Sequence, residues 1–190
     1  ADEIVQYVRG CFFGTGVPSD VATPLPCLER PARLGDIFHS NAIAIRQPSL
    51  RLNDPGYGPF KAFYSSRDRV FYAGTNAGFL EALDTGSWIV PSPPALPYYS
   101  KGTGRELFGF MPWQARQTIK NLSIDAPTNR HHYVDGDVNS ADVWIDAQNP
   151  GSLGYNVSPT DGSEWHTLLV GALREGGNHF YALDVTNPNG

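Results

Sequence analysis

One phrase occurs twice in this chain. Val70 to Gly86 reads VFYAGTNAGFLEALDTG, and Leu168 to Asn187 reads LLVGALREGGNHFYALDVTN. Each is an apolar run that ends near a Gly/Ala pair, reverses through a Gly-containing turn and returns through aromatic or Leu residues onto Ala-Leu-Asp. A repeated strand–turn–strand unit marks an array fold, because one such unit cannot bury its apolar face alone. The fold class that follows is all-β, with antiparallel β-meanders arranged as the blades of a β-propeller. Propellers are scaffolds, so function has to be sought in what is built on them.

The rest of the composition agrees with short strands and tight turns. Gly (20) and Pro (16) are abundant and charged residues make up only 17%, which leaves little material for long solvated helices. A net charge of −5, with no Lys/Arg stripe to neutralise phosphates, argues against a nucleic-acid partner. No stretch approaches the ~18 apolar residues of a membrane span. The N-terminal Ala-Asp-Glu has neither the basic start nor the apolar run of a signal peptide. The expectation is a processed leader or a piece of a longer chain.

Along the sequence, residues 1–33 read as a lead-in, with a short helix over Asp2–Arg9 and a loop bounded by Cys11 and Cys27. Residues 34–112 form the first blade region. Its strands are expected at Asn41–Ile45, Lys61–Ser65, Val70–Ala73, Phe79–Leu83 and Arg105–Pro112, with a loop over 46–59 and a Pro-rich insertion at 87–101. Residues 113–190 form the second region, opened by a helix over Trp113–Leu122, where Ala115, Ile119 and Leu122 keep helical spacing. The two Ala-Leu-Asp motifs lie 100 residues apart, more than one blade of about 40–50 residues. With at least four blades needed to close a ring, the expectation is a partial propeller with long loop insertions and one or two short helices, or one completed by another chain.

The order LGDIFHS, VFYAGTNAGFLEALD, TGRELFGFMP, HHYVDGDV and EWHTLLVGALREGGNHFYALDVTNP resembles the C-terminal propeller of the PilC/PilY family of type IV pilus biogenesis proteins. The generic blade phrases are shared with quinoprotein propellers; the LGDIFHS entry, the His-Tyr-Val-Asp-Gly stretch and the ALDVTNP ending favour the pilus family. The resemblance implies an exported protein at the cell surface, associated with the bacterial outer membrane and the pilus tip. There it would act without catalysis, as an assembly factor and adhesin whose partners are minor pilins and a host or abiotic surface. It places the family's calcium loop downstream of the stretch matched here. The alternative is a PQQ-type quinoprotein dehydrogenase propeller, which needs a catalytic Asp, calcium ligands and a stacking Trp about one axis. That set cannot be assembled from these residues.

Several residues carry candidate chemistry. Asp135, Asp137 and Asn139 alternate, with Asp142 three further on, and oxygen ligands at such spacing suit calcium. The loop lacks the Gly and bidentate Glu of an EF-hand, so a solvated turn that satisfies backbone amides is the competing reading. Cys11 and Cys27 are too far apart for a Cys-x-x-Cys site and read as a disulfide stapling a loop, worth about 3 kcal/mol. His131 and His132 are neighbours that point to opposite faces of a strand and cannot chelate together. Asp36, His39 and Ser40 lack a nucleophile elbow; Asp36 and Ser40 read as turn residues, His39, His166 and His179 are scattered, and no catalytic residue is assigned. Asp84 and Asp184 read as turn caps. Trp88, Tyr98 and Tyr99, in the insertion, are the candidates for partner binding, since exposed aromatics bury much area at low entropic cost. Covering the propeller's own flank is the other use for them.

Overall fold

A computed structural model of the chain describes residues 34–119, 131–146 and 160–188, together with the backbone of two short strands, β1 (Cys11–Phe12) and β2 (Leu28–Glu29). The described chain is mostly antiparallel sheet with a few short helices. The first sheet takes β3 (Ile43–Ile45), β4 (Val70–Gly74), β5 (Leu80–Asp84) and β8 (Glu106–Phe110), side by side in chain order. The insertion between β5 and β8 folds as a separate two-stranded ribbon, β6 (Trp88–Ile89) with β7 (Tyr98–Tyr99). The second sheet has the order β11 (Phe180–Asp184), β10 (Trp165–Ala172), β9 (Val138–Trp144).

The sequence repeat is a structural repeat at the level of the hairpin. Val70 pairs with Asp84 in the first hairpin, and Leu168 pairs with Asp184 in the second. Beyond each Asp the return strand still bonds to its partner: Thr85 N donates to Arg69 O at 3.0 Å, and Val185 N to Thr167 O at 2.9 Å. Both Asp residues then cap the turn that follows, as their place in the phrase predicts. Asp84 Oδ1 accepts from Gly86 N and Asp184 Oδ1 from Thr186 N, each at 2.9 Å. At the first reversal, the chain turns at Gly78 with φ +92°, a conformation that disfavours a side chain.

One apolar core joins the two sheets. Val70, Tyr72, Leu80 and Ala82 meet Val138, Leu169, Leu173 and Val185 there, with Val134 and Ala115 between them. Residues 133–136 wedge between the tips of both hairpins, and small residues make this possible. A Cβ on Gly74 would lie 2.3 Å from the Val134 carbonyl oxygen, and one on Gly176 would lie 1.9 Å from that of Tyr133.

A buried polar network also crosses the junction. Arg67 donates from Nη1 to Thr167 Oγ1 at 2.8 Å and to Thr186 O at 3.2 Å, and from Nε to Arg46 O at 3.0 Å. Thr167 in turn donates to Asp142 Oδ1, and the Tyr57 hydroxyl to Asp142 Oδ2, both at 2.7 Å.

Two expectations about elements need correcting. Lys61–Ser65 is no strand: α1 spans Tyr57–Phe63, entered through Gly56 at φ +80°. Tyr57 and Phe60, three apart, share the helix face that packs on Trp165, and Pro59 is tolerated in the first turn. The expected loop over 46–59 therefore ends three residues early, at Gly56. The later helix, α2, spans Trp113–Thr118 and buries Ala115. The helix over Asp2–Arg9 lies outside the described residues. So does the expected Cys11–Cys27 disulfide; β1 and β2 themselves pair antiparallel, Cys11 with Glu29.

Candidate functional site

Three places in the fold gather chemistry. The first is the junction where the loop before β3 meets the segment before β9. Ser40 Oγ accepts from Gly74 N at 3.0 Å, and Asp36 accepts from Asn76 through both backbone and side chain. Asp36 and Ser40 therefore brace the β4–β5 turn, as turn residues rather than as part of a hydrolase set. Between them and β9 lies Asp135, only 1% exposed. Its Oδ1 accepts from His39 N at 3.3 Å, and its Oδ2 lies 2.6 Å from His39 Nδ1 and 3.4 Å from His132 Nδ1. His132 Nε2 sits 3.6 Å from Glu175 Oε2. The exposed Phe38 ring stands 4.2 Å from that of His39 and 5.6 Å from that of His132. Sequence reading could weigh His132 only against its neighbour His131; the true neighbour, His39, is 93 positions away.

The second place is a cleft of about 610 Å³ between α1 and the second hairpin. Phe60, Phe63 and Tyr64 line one wall, and Trp165, His166 and Asp184 the other. His166 Nδ1 lies 2.7 Å from Asp184 Oδ2. Partial burial acts to raise the Asp184 pKa, but hydrogen bonds from the Thr186 hydroxyl and amide, with His166, outweigh it and hold the carboxyl below its ordinary range. Phe63 remains 79% exposed at the rim.

The third place is the β6–β7 ribbon, and it divides the three aromatic candidates. Trp88 and Tyr99 pair across the ribbon with ring centroids 4.9 Å apart. Tyr99 also packs inward: its hydroxyl donates to Arg67 O at 3.0 Å and contacts Gln47, while the Arg69 guanidinium lies over its ring. Tyr98 faces out, 54% exposed, on an insertion that also leaves Val90 and Leu96 exposed.

The four oxygen-bearing residues suggested for calcium are spread out. Asp135 engages the two imidazoles, and Asp137 Oδ1 accepts from Asn41 N at 2.9 Å. Asn139 and Asp142 lie on β9, where they pair with Val170 and Thr167. At about 3.3 Å per residue, Asp142 stands about 13 Å along the strand from Val138. Their alternate spacing is thus that of a strand and does not wrap a single point. Asp142 is also occupied by Tyr57 and Thr167, and burial, then this bond to Asp142, raises the Tyr57 pKa. Among the described residues, no helix is long and apolar enough to cross a membrane.

No protein-family model matches the chain. The type IV pilus biogenesis factor PilY1 homolog of Xylella fastidiosa is 30% identical over 167 residues, covering 84% of this chain and 11% of that protein. PilY1 of Pseudomonas aeruginosa is 29% identical over 168 residues, covering 84% of this chain and 12% of that protein. This chain therefore spans about a ninth of the length of these relatives. The crystal structure of the P. aeruginosa PilY1 C-terminal domain aligns over 77% of this chain and 23% of that one, at 25% identity and a TM-score of 0.47.

Proposed function

We propose, from the premise that this chain is a relative of the PilY1 type IV pilus biogenesis factors over most of its own length, that it works in the same process as a non-enzymatic binding segment. The single observation behind this reading is that similarity, which runs through 84% of the chain. The four-stranded meander in chain order supports reading it as part of a propeller, because such sheets are what propeller blades are made of. In this reading the chain is exported to the cell surface and the pilus tip. Its shared two-sheet core is a rigid platform for minor pilins, and the β6–β7 ribbon presents Tyr98, Val90 and Leu96 to a pilin or a target surface.

Two replacements in the producing bacterium separate assembly from adhesion. Deleting the segment should abolish surface pili and twitching motility. Exchanging residues 90–97 for a Gly/Ser link should leave pili assembled and reduce attachment. Normal piliation and motility after the full deletion would overturn the assembly reading, and unchanged attachment after the loop exchange would overturn the adhesive one.

A further inference from the structure

We propose that His39, His132 and Asp135 bind one zinc(II) ion, with a fourth position open to water or to a donor from a partner. One ligand atom from each of the three residues lies within 4.8 Å of the others. The edge of a tetrahedron with 2.0–2.1 Å bonds is about 3.3 Å. The distances from Asp135 Oδ2, 2.6 Å to His39 Nδ1 and 3.4 Å to His132 Nδ1, bracket that value. The His39–Asp135 edge has to open by less than 1 Å, and the two imidazole nitrogens, within 4.8 Å of each other, have to settle at a similar edge; His39 stands on a loop with its side chain 26% exposed.

The details around the three groups support a ligand more than a hydrogen-bonded cluster. His132 Nδ1 is buried and makes no hydrogen bond, although it faces the carboxylate oxygen that His39 already engages. A divalent ion supplies what that nitrogen lacks and lets both imidazoles share one carboxylate. The outer contacts are those that metal ligands need: His39 N donates to Asp135 Oδ1 and fixes the carboxylate, and Glu175 Oε2 lies 3.6 Å from His132 Nε2, where it can orient the ring. Two imidazoles and one carboxylate form a borderline donor set that suits zinc, whereas calcium takes six to eight oxygens. Both rings are about a quarter exposed, so the open side of the site faces solvent. Bound metal would clamp the loop before β3 to the segment before β9 and, through Glu175, to the tip of the second hairpin.

The test is a zinc titration by calorimetry on the tag-free full chain after chelation, repeated with cobalt(II) to read the ligand field. The wild-type chain should take up one equivalent with a rise in melting temperature. His39→Ala and His132→Ala, each verified as folded by circular dichroism, should lose this binding. Glu175→Gln should weaken it about tenfold, and His131→Ala and His166→Ala should leave it unchanged. Folded wild-type chain that binds no zinc at micromolar concentration overturns the proposal. So does stoichiometric binding that survives in both His39→Ala and His132→Ala, or calcium bound in place of zinc with the same dependence on these residues.

Discussion

Arg67 Nη1 donates a 2.8 Å hydrogen bond to the Thr167 hydroxyl, joining residues 100 positions apart where the two sheets meet. Arg67 is 7% exposed, and its guanidinium also serves the carbonyls of Arg46 and Thr186, so one side chain holds the loop after β3, strand β10 and the end of the second hairpin. Burial lowers its pKa, and the nearby Asp142 carboxylate works against that shift. Replacing Arg67 with Ala strands several buried acceptors at once. The expected loss is about 3 kcal/mol of unfolding free energy, measured by urea denaturation. Arg67→Lys should recover only part of it, because an ammonium cannot reproduce the planar fork. A change under about 0.5 kcal/mol for Arg67→Ala would mean the bridge is dispensable.

The Arg67–Thr167 bond also shows where the sequence stops being readable. The two hairpins are legible because their determinants are local: alternating apolar residues, a Gly at the reversal and an Asp capping through its own next turn. Helix α1 was hidden by its surroundings. Pro55, Gly56, Gly58 and Pro59 look like loop, and Lys61–Ser65 has the aromatic flavour of a strand. Only Trp165, more than 100 residues away, gives Tyr57 and Phe60 a reason to share a helical face. The His39–His132–Asp135 cluster was only half legible: His132 and Asp135 lie three apart in one stretch, and Asp135 reads as a candidate ligand, but His39 joins them only through tertiary packing.

Glu81 carries a pH dependence of defined sign. It lies on β5 with 7% exposure, and both its carboxylate and that of Glu106 stand within 3.5 Å of the point where a Gly109 Cβ would be. Burial, then the like charge of Glu106, pushes its pKa up to about 7. Between its ordinary value of 4.5 and 7, the native state binds a proton that the unfolded chain does not. Stability contributed by this group therefore falls as pH rises through that window. Glu81→Gln should be close to neutral at pH 4 and stabilise by about 2 kcal/mol at pH 8. Chemical denaturation at the two pH values checks this, and an equal effect at both would refute it.

Gly176 is needed for clearance rather than for its backbone angle. A Cβ there would sit 1.9 Å from the Tyr133 carbonyl oxygen, which is backbone and cannot rotate away. Gly176→Ala should cost about 2–3 kcal/mol through this overpacking, seen as a lower denaturation midpoint. Gly104→Ala probes the opposite case. Its Cβ meets nothing within 4 Å, but its φ of +70° is strained for Ala, so it should cost only about 1 kcal/mol. A Gly176→Ala variant as stable as the parent would show that the 133–136 wedge gives way freely.

The two adjacent tyrosines of the ribbon should part company on mutation. Tyr99 is half-buried, with its hydroxyl on the Arg67 carbonyl and its ring under Arg69, so Tyr99→Phe should lose about 1 kcal/mol of stability. Among the described residues Tyr98 has no such support, and it is 54% exposed, so Tyr98→Ser should change stability by less than about 0.5 kcal/mol. If the ribbon is a recognition element, the ranking reverses for function: Tyr98→Ser lowers surface attachment, and Tyr99→Phe lowers it only as far as the ribbon loosens. Thermal melts and an attachment assay on the same two variants decide the matter. Matching stability losses at both positions would assign the whole ribbon to the fold, whereas an attachment defect confined to Tyr98→Ser would assign its outer face to a partner.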